Sequence, residues 1–94
     1  MIHNTSIISK NAKIGKDVKI GKNSIITAQV GFAGSSTVGE RVSIGGQAGI
    51  SGHLRIGNNV QIGGGSGVIK NIPDNAKVMG YPAKDIRVFL KENK

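Results

Sequence analysis

One periodicity constrains this chain more than any other feature: every sixth residue from Ile2 onward is large and apolar. The set runs Ile2, Ile8, Ile14, Ile20, Ile26, Phe32, Val38, Ile44, Ile50, Ile56, Ile62 and Val68, with no insertion. Four places on in each hexad stand Ser6, Ala12, Val18, Ser24, Val30, Ser36, Val42, Ala48, Leu54, Val60, Ser66 and Ile72, all small or aliphatic. Glycine often follows the large residue, at 15, 21, 39, 45, 57 and 63. Apolar residues are 37% of the chain, so an unbroken register of twelve is no accident of composition. A helix repeats at 3.6 and a strand at 2, and neither holds a phase of six. The physical reading is a stack of triangular coils. The large residue points inward, the small one sits near a corner, and Gly or Asn serves the tight turns. Three hexads make one 18-residue coil, so the coils are expected at 2–19, 20–37, 38–55 and 56–73.

Composition removes several function classes. There is no cysteine, so disulfides, thiolate metal sites and a cysteine nucleophile are excluded, and no metal centre is expected. Aromatics are 3%, too few for a platform that stacks single-stranded nucleic acid, and no nucleic-acid partner is expected. No apolar run approaches the ~18 residues of a membrane span. The opening MIHNTSIISK lacks a secretory apolar run, so the expected address is the cytoplasm. The net charge of +8 allows an acidic partner without choosing one.

The register ends after Val68. Pro73-Asp74-Asn75 reads as a turn. Two domains of structure are therefore expected: a β-helix over 2–73, and a loop with a short helix over 74–94. Ile86, Phe89 and Leu90 lie at helical spacing and predict one apolar face on a helix from about 84. Twelve core side chains for some four coils is a thin core, which argues for association. Ile7 and Ile25 stand 18 apart at the outward sixth place, and stacked exposed isoleucines are candidate interface residues.

The hexads resemble those of the hexapeptide-repeat acyltransferase superfamily. The resemblance implies a left-handed parallel β-helix, a homotrimer and sites between subunits. The closing GYPAK, residues 80–84, looks like the GxPAK segment of many such enzymes. Residues 23–53, NSIITAQVGFAGSSTVGERVSIGGQAGISGH, are more specific. They resemble the C-terminal part of UDP-3-O-acylglucosamine N-acyltransferase, over about residues 14–86. That family, in lipid A synthesis, moves a 3-hydroxyacyl chain from acyl carrier protein to a sugar 2-amine. The resemblance therefore implies an acyl carrier protein or coenzyme A thioester as donor, no permanently bound cofactor, and a sugar-nucleotide amine as acceptor. The alternative is a catalytically inactive trimeric β-helix that serves as a structural or binding module.

The matching motif carries its catalytic histidine in A-H-N-V-x-I-G-x-N, and here the stretch Gly15–Asn23 places Lys16 at that position. A lysine is mostly protonated near neutral pH and is a poor base unless buried, but it can hold an anion. His53 matches the family's second histidine, within Ser51-Gly52-His53-Leu54. Acyl transfer needs a base near pKa 7, which makes His53 the candidate catalytic residue. His3 lies in the first hexad, too early for the motif.

Stacking the coils by 18 yields columns. Gly31, Gly49 and Gly67 share one, Ala28, Gly46 and Gly64 another, and Gly34 and Gly52 lie on the next face. Bare backbone admits something narrow, such as a pantetheine arm or acyl chain, or else a close subunit contact. Gln29 and Gln47 form a ladder beside the strip and either bond each other or touch ligand. The candidate substrate-binding residues are thus Lys16, Gln29, Gly31, Gly34, Gly46, Gln47, Gly49 and Gly52. Lys10, Lys13, Lys16, Lys19 and Lys22 all fall at outward places of the first coil. They protect an open strand edge or form a basic collar for acyl carrier protein or an anionic membrane.

Overall fold

A computed structural model describes residues 1–92 of the chain; the last two residues of the expected C-terminal segment, 93 and 94, lie outside it. The chain winds into a prism of two-residue strands on three faces, all parallel within the stack. The first face stacks Ile7–Ile8, Ile25–Ile26, Ser43–Ile44 and Gln61–Ile62. The second stacks Lys13–Ile14, Gly31–Phe32, Gly49–Ile50 and Gly67–Val68. The third stacks Lys19–Ile20, Thr37–Val38 and Arg55–Ile56. The register is one coil throughout: Ile7 pairs with Ile25, Gly31 with Gly49, and Thr37 with Arg55. The molecule is a rod of 39 × 22 × 21 Å.

The hexad pattern explains the burial. Ile20, Ile26, Phe32, Val38, Ile44, Ile50, Ile56, Ile62 and Val68 are all buried, and so are Val18, Val30, Val42, Ala48 and Val60 at the second inward place. Their outward neighbours in the strands alternate with them, because successive side chains on a strand point to opposite faces. Serines at the second inward place are accommodated by bonds between coils. Ser6, Ser24 and Ser36 donate from Oγ to the carbonyls of Gly21, Gly39 and Ser51, at 2.6, 3.0 and 2.9 Å. The same hydroxyls accept the backbone N–H of Ser24, Val42 and Leu54.

The corners differ from the expectation that Gly or Asn serves the turns. The left-handed corner position is filled in turn by Asp17, Asn23, Gln29, Ser35, Arg41, Gln47, His53 and Asn59, with φ between 55 and 64°, and then by Gly65. A left-handed conformation costs most residues about 1–2 kcal/mol, so packing of the coil imposes it. The glycines after the large apolar residue have a different cause. A methyl at Gly15 would sit 2.7 Å from the Gly34 backbone nitrogen, and one at Gly21 would sit 2.7 Å from the Gly39 carbonyl oxygen. These positions are bare because the next coil passes directly over them.

The ladder continues beyond residue 73. Lys77–Met79 adds to the first face, with Gln61 paired to Lys77. Ile56 pairs with Ile72, so this last coil takes sixteen residues in place of eighteen. One side chain replaces a backbone partner, and another repeats the bond that Asn58 Oδ1 accepts from the Glu40 N–H one coil below. Asn71 Oδ1 accepts the Arg55 N–H at 2.9 Å, and Asp74 Oδ1 accepts the Asn58 N–H at 2.8 Å. The chain then reverses, and Lys84–Asp85 pairs antiparallel with Val78 and Met79. A helix follows over Ile86–Glu92. Asp85 caps it by accepting the Arg87 N–H at 2.9 Å. That bond, and the Arg87 guanidinium beside it, hold the Asp85 carboxyl below the usual carboxylate range. The apolar helix face is narrower than the spacing predicts. Ile86 and Phe89 are half-buried, while Leu90 is exposed.

Candidate active site

The candidate residues gather around the second face and its two bordering corners. Gly31 and Gly49 are paired strand residues whose Cβ positions point outward. On one corner, Gln29 and Gln47 stack, and Gln47 Nε2 donates to Gln29 Oε1 at 2.9 Å. Beside them Gly46 lies over Ala28, whose carbonyl oxygen a methyl at Gly46 would meet at 3.4 Å. On the other corner stand Lys16, Gly34 and Gly52. A methyl at Gly34 would meet the Lys16 carbonyl oxygen at 2.9 Å, and one at Gly52 the Gly34 carbonyl oxygen at 3.2 Å.

His53 occupies the left-handed position of that corner, with φ 60°, and its side chain is exposed. Its backbone N–H donates to the Gly34 carbonyl at 3.1 Å. The coil therefore holds the backbone of His53 rigidly and leaves the ring in solvent. Lys16 is exposed too, two coils below. Parallel strands rise ~4.8 Å per coil, so the two backbones are separated by roughly 10 Å. A general base must come within ~3 Å of its proton. Lys16 and His53 thus stand two coils apart on the same corner, both open to solvent. His3, by contrast, bonds within its own turn, Nδ1 to Thr5 Oγ1 at 2.9 Å.

The second face bears two open hollows. One, of about 380 Å³, is lined by Gly49, Gly67, Ser51, Ser66, Ile69 and Tyr81, among others. The other, of about 340 Å³, lies lower on the same face beside Asn11, Lys13 and Gln29, and the two share Gly31. The upper walls are residues that the spacing argument did not select. Ile69 is 53% exposed and Tyr81 is 81% exposed, so each presents apolar surface to the groove. Tyr81 was visible in the sequence only as part of the GYPAK segment. Nothing in the hexads foretold that the segment folds back over the glycine column.

Among the described residues no group of three or more His, Asp or Glu side chains could hold a metal ion. Among the same residues no helix is long and apolar enough to cross a membrane.

Comparison with known proteins gives the geometry a context. No family model matches the chain. UDP-3-O-acylglucosamine N-acyltransferase 2 of Legionella pneumophila strain Paris is 56% identical over 80 residues, and that of strain Lens is 58% identical over 80 residues. Each match takes in 85% of this chain and 23% of the relative, in its C-terminal region. The chain thus spans about a quarter of the length of these curated relatives. Among solved structures, serine acetyltransferase of Neisseria gonorrhoeae in complex with serine is 31% identical with a TM-score of 0.71. That match covers 88% of this chain and 40% of the other. A variant of perosamine N-acetyltransferase from Caulobacter crescentus, in complex with CoA and GDP-perosamine, is 24% identical with a TM-score of 0.66, covering 89% and 54%. At that identity the likeness is one of fold. The unbroken hexads, the stacked parallel coils and these relatives together make the chain a left-handed β-helix of hexapeptide repeats, similar to the C-terminal region of UDP-3-O-acylglucosamine N-acyltransferase.

Proposed function

We propose that the chain carries the acyl-transfer region of an N-acyltransferase of the lipid A type, which moves an acyl group from a thioester to the amine of a sugar nucleotide. The observation that carries this reading is the identity of 56–58% to UDP-3-O-acylglucosamine N-acyltransferases over 80 residues, 85% of this chain. The bare strip on the second face is consistent with it, since a slender donor arm needs backbone free of side chains.

In this reading the amine nitrogen attacks the thioester carbonyl carbon. His53 takes the proton the nitrogen sheds, the tetrahedral oxyanion collapses, and the carbon–sulfur bond breaks to release the thiol. Gly31, Gly34, Gly46, Gly49 and Gly52 leave room for the donor. Gln29 and Gln47 offer amide groups at its edge, and Lys16 binds an anionic group of donor or acceptor. Coenzyme A is bound in the perosamine N-acetyltransferase structure, and a coenzyme A thioester is the donor to test beside acyl carrier protein. The lysine collar of the first coil suits an acidic carrier. The working form is a homotrimer in the cytoplasm, with Ile7 and Ile25 at the subunit contact; they pair in register and are 66% and 44% exposed.

The test is thioester consumption with acyl-coenzyme A and acyl carrier protein donors, each against UDP-sugar amines. Release of thiol that depends on an amine acceptor is the expected result. No release with any pairing would refute the proposal.

A further inference from the structure

Lysine encircles the lower end of the rod. From Ile7 the chain steps by three through Lys10, Lys13, Lys16, Lys19 and Lys22, and these outward places go once around a coil. Lys13 and Lys19 begin strands on the second and third faces, while Lys10, Lys16 and Lys22 stand on the three turns between faces. All five lysines are exposed, and among the described residues none has an ion-pair partner. Asp17 is the only acidic residue before Glu40. At the upper end the charges are mixed, with Lys84 paired to Glu92 and Arg87 to Asp85.

The centre of that end is apolar. Ile2 is 40% exposed, and Ile8 and Ile14 are half-buried, whereas Ile20 and Ile26 in the same register are buried. The Met1 amino group donates to the Val18 carbonyl at 3.0 Å, which ties the N-terminus to the stack and leaves Met1 89% exposed. An apolar centre inside a basic rim suits an anionic bilayer. Apolar side chains enter the headgroup boundary, and lysines meet the lipid phosphates.

Other uses do not account for a closed ring. Protection of a strand edge asks for charge on the strands, yet three of the five lysines are on turns and the Ile7–Ile8 strand of the same coil carries none. A second copy set end to end would bring two rings of like charge together. An acidic carrier protein at the side of the rod uses one face and its two corners, three lysines at most. A plane laid across the end, whose section is 22 × 21 Å, meets all five. They lie within the ~4.8 Å rise of one coil, inside the ~8 Å screening length at physiological salt. We infer that the lower end of the rod docks on an anionic lipid surface, axis upright, with the lysine ring on lipid phosphates and Met1 and Ile2 in the headgroup layer. The inference does not depend on the acyl-transfer reading.

The experiment is co-sedimentation of the full chain with vesicles of phosphatidylcholine, alone or with added phosphatidylglycerol, at low and high salt. The chain is expected to bind the phosphatidylglycerol vesicles at low salt, to release them at high salt, and to ignore phosphatidylcholine. Lys13, on the second face, and Lys22, on the turn between the third and first, lie on opposite sides of the ring. Lys13→Gln and Lys22→Gln are each expected to weaken binding about fivefold, as an upright rod requires. Lys13→Arg and Lys22→Arg keep the charge and should bind as the parent does. Lys70 follows Val68, which stands three coils above Ile14, roughly 14 Å up the axis, so Lys70→Gln should also bind as the parent does. No binding to phosphatidylglycerol vesicles at low salt overturns the inference, whether or not an acidic carrier protein binds. Equal binding to phosphatidylcholine overturns it too. A loss confined to one side of the ring would mean a side-on contact, and an equal loss in Lys70→Gln would mean attraction to net charge alone; either result overturns the upright docking.

Discussion

The Tyr81 ring lies directly on Gly67, close enough that a single methyl there would collide with Cδ2. One coil below, Gly49 has open space in the same direction. The two glycines share a column and a strand register but have opposite reasons to be bare. Gly49→Ala should keep the fold or stabilise it by about 0.4–1 kcal/mol, because it restricts the unfolded chain. Gly67→Ala must displace the ring. Tyr81 is the one tyrosine in the sequence and there is no tryptophan, so tyrosine emission reports that ring alone. Its intensity and quenching should change in Gly67→Ala and stay as in the parent in Gly49→Ala. In the donor assay Gly49→Ala should lose activity despite its intact fold.

Ile7 and Ile25 pair side by side on the first face, and the same column continues upward as Ser43, Gln61 and Lys77. In the proposed trimer the apolar end of that column is the subunit contact. Ile25→Lys puts a charge into the contact, which costs several kcal/mol if it is buried unpaired. Sedimentation of the parent should give a trimer of the 9.7 kDa chain at micromolar concentration, and Ile25→Lys should shift it toward monomer. A parent that sediments as a monomer would remove the trimer from the proposal.

The coil stack was legible because a six-residue phase is written directly in the side chains that must be buried. The columns of Gly31, Gly49 and Gly67 and of Gln29 and Gln47 followed from it by counting, since a constant coil length turns sequence spacing into height. Three features were not legible for the same reason. The last coil drops two residues, so counting by eighteen fails between Val68 and Ile72, and Asn71 supplies a lost backbone partner. Tyr81 returns to the column by a chain reversal that no periodicity encodes. The left-handed corners are filled by residues as different as Arg41, Gln47 and His53. Backbone closure dictates the conformation there, so composition gave no sign of it.

The C-terminal helix should respond to acid. Asp85 holds its capping role as a carboxylate, and its pKa is lowered chiefly by the Arg87 backbone N–H. A lowered folded-state pKa means the contribution is fully present above the unfolded value, ~3.9, and is lost as pH falls through the folded value. The helical ellipticity of the parent should therefore hold down to about pH 4 and decline below it. Asp85→Asn keeps a capping oxygen without the titration and should flatten the decline. An unchanged acid profile in that variant would assign the loss to other groups.

His53 meets a structural demand and, in the proposed reaction, a chemical one, and the two can be separated by substitution. Its corner requires a left-handed backbone, and Asn23 and Asn59 meet the same requirement at other corners. His53→Asn should therefore fold as the parent does, while losing the imidazole. A positioned general base is worth ~10²–10⁴-fold in rate, so the variant should lose at least tenfold in amine-dependent thiol release, with donor affinity little changed. His3→Asn, at a residue bonded within its own turn, should leave the rate alone. Lys16 stands where the resembling motif has histidine, and Lys16→His should raise the rate if that position also reaches the reacting amine. A His53→Asn variant as fast as the parent would remove His53 from the chemistry. A simultaneous gain in Lys16→His would move the base two coils down the same corner.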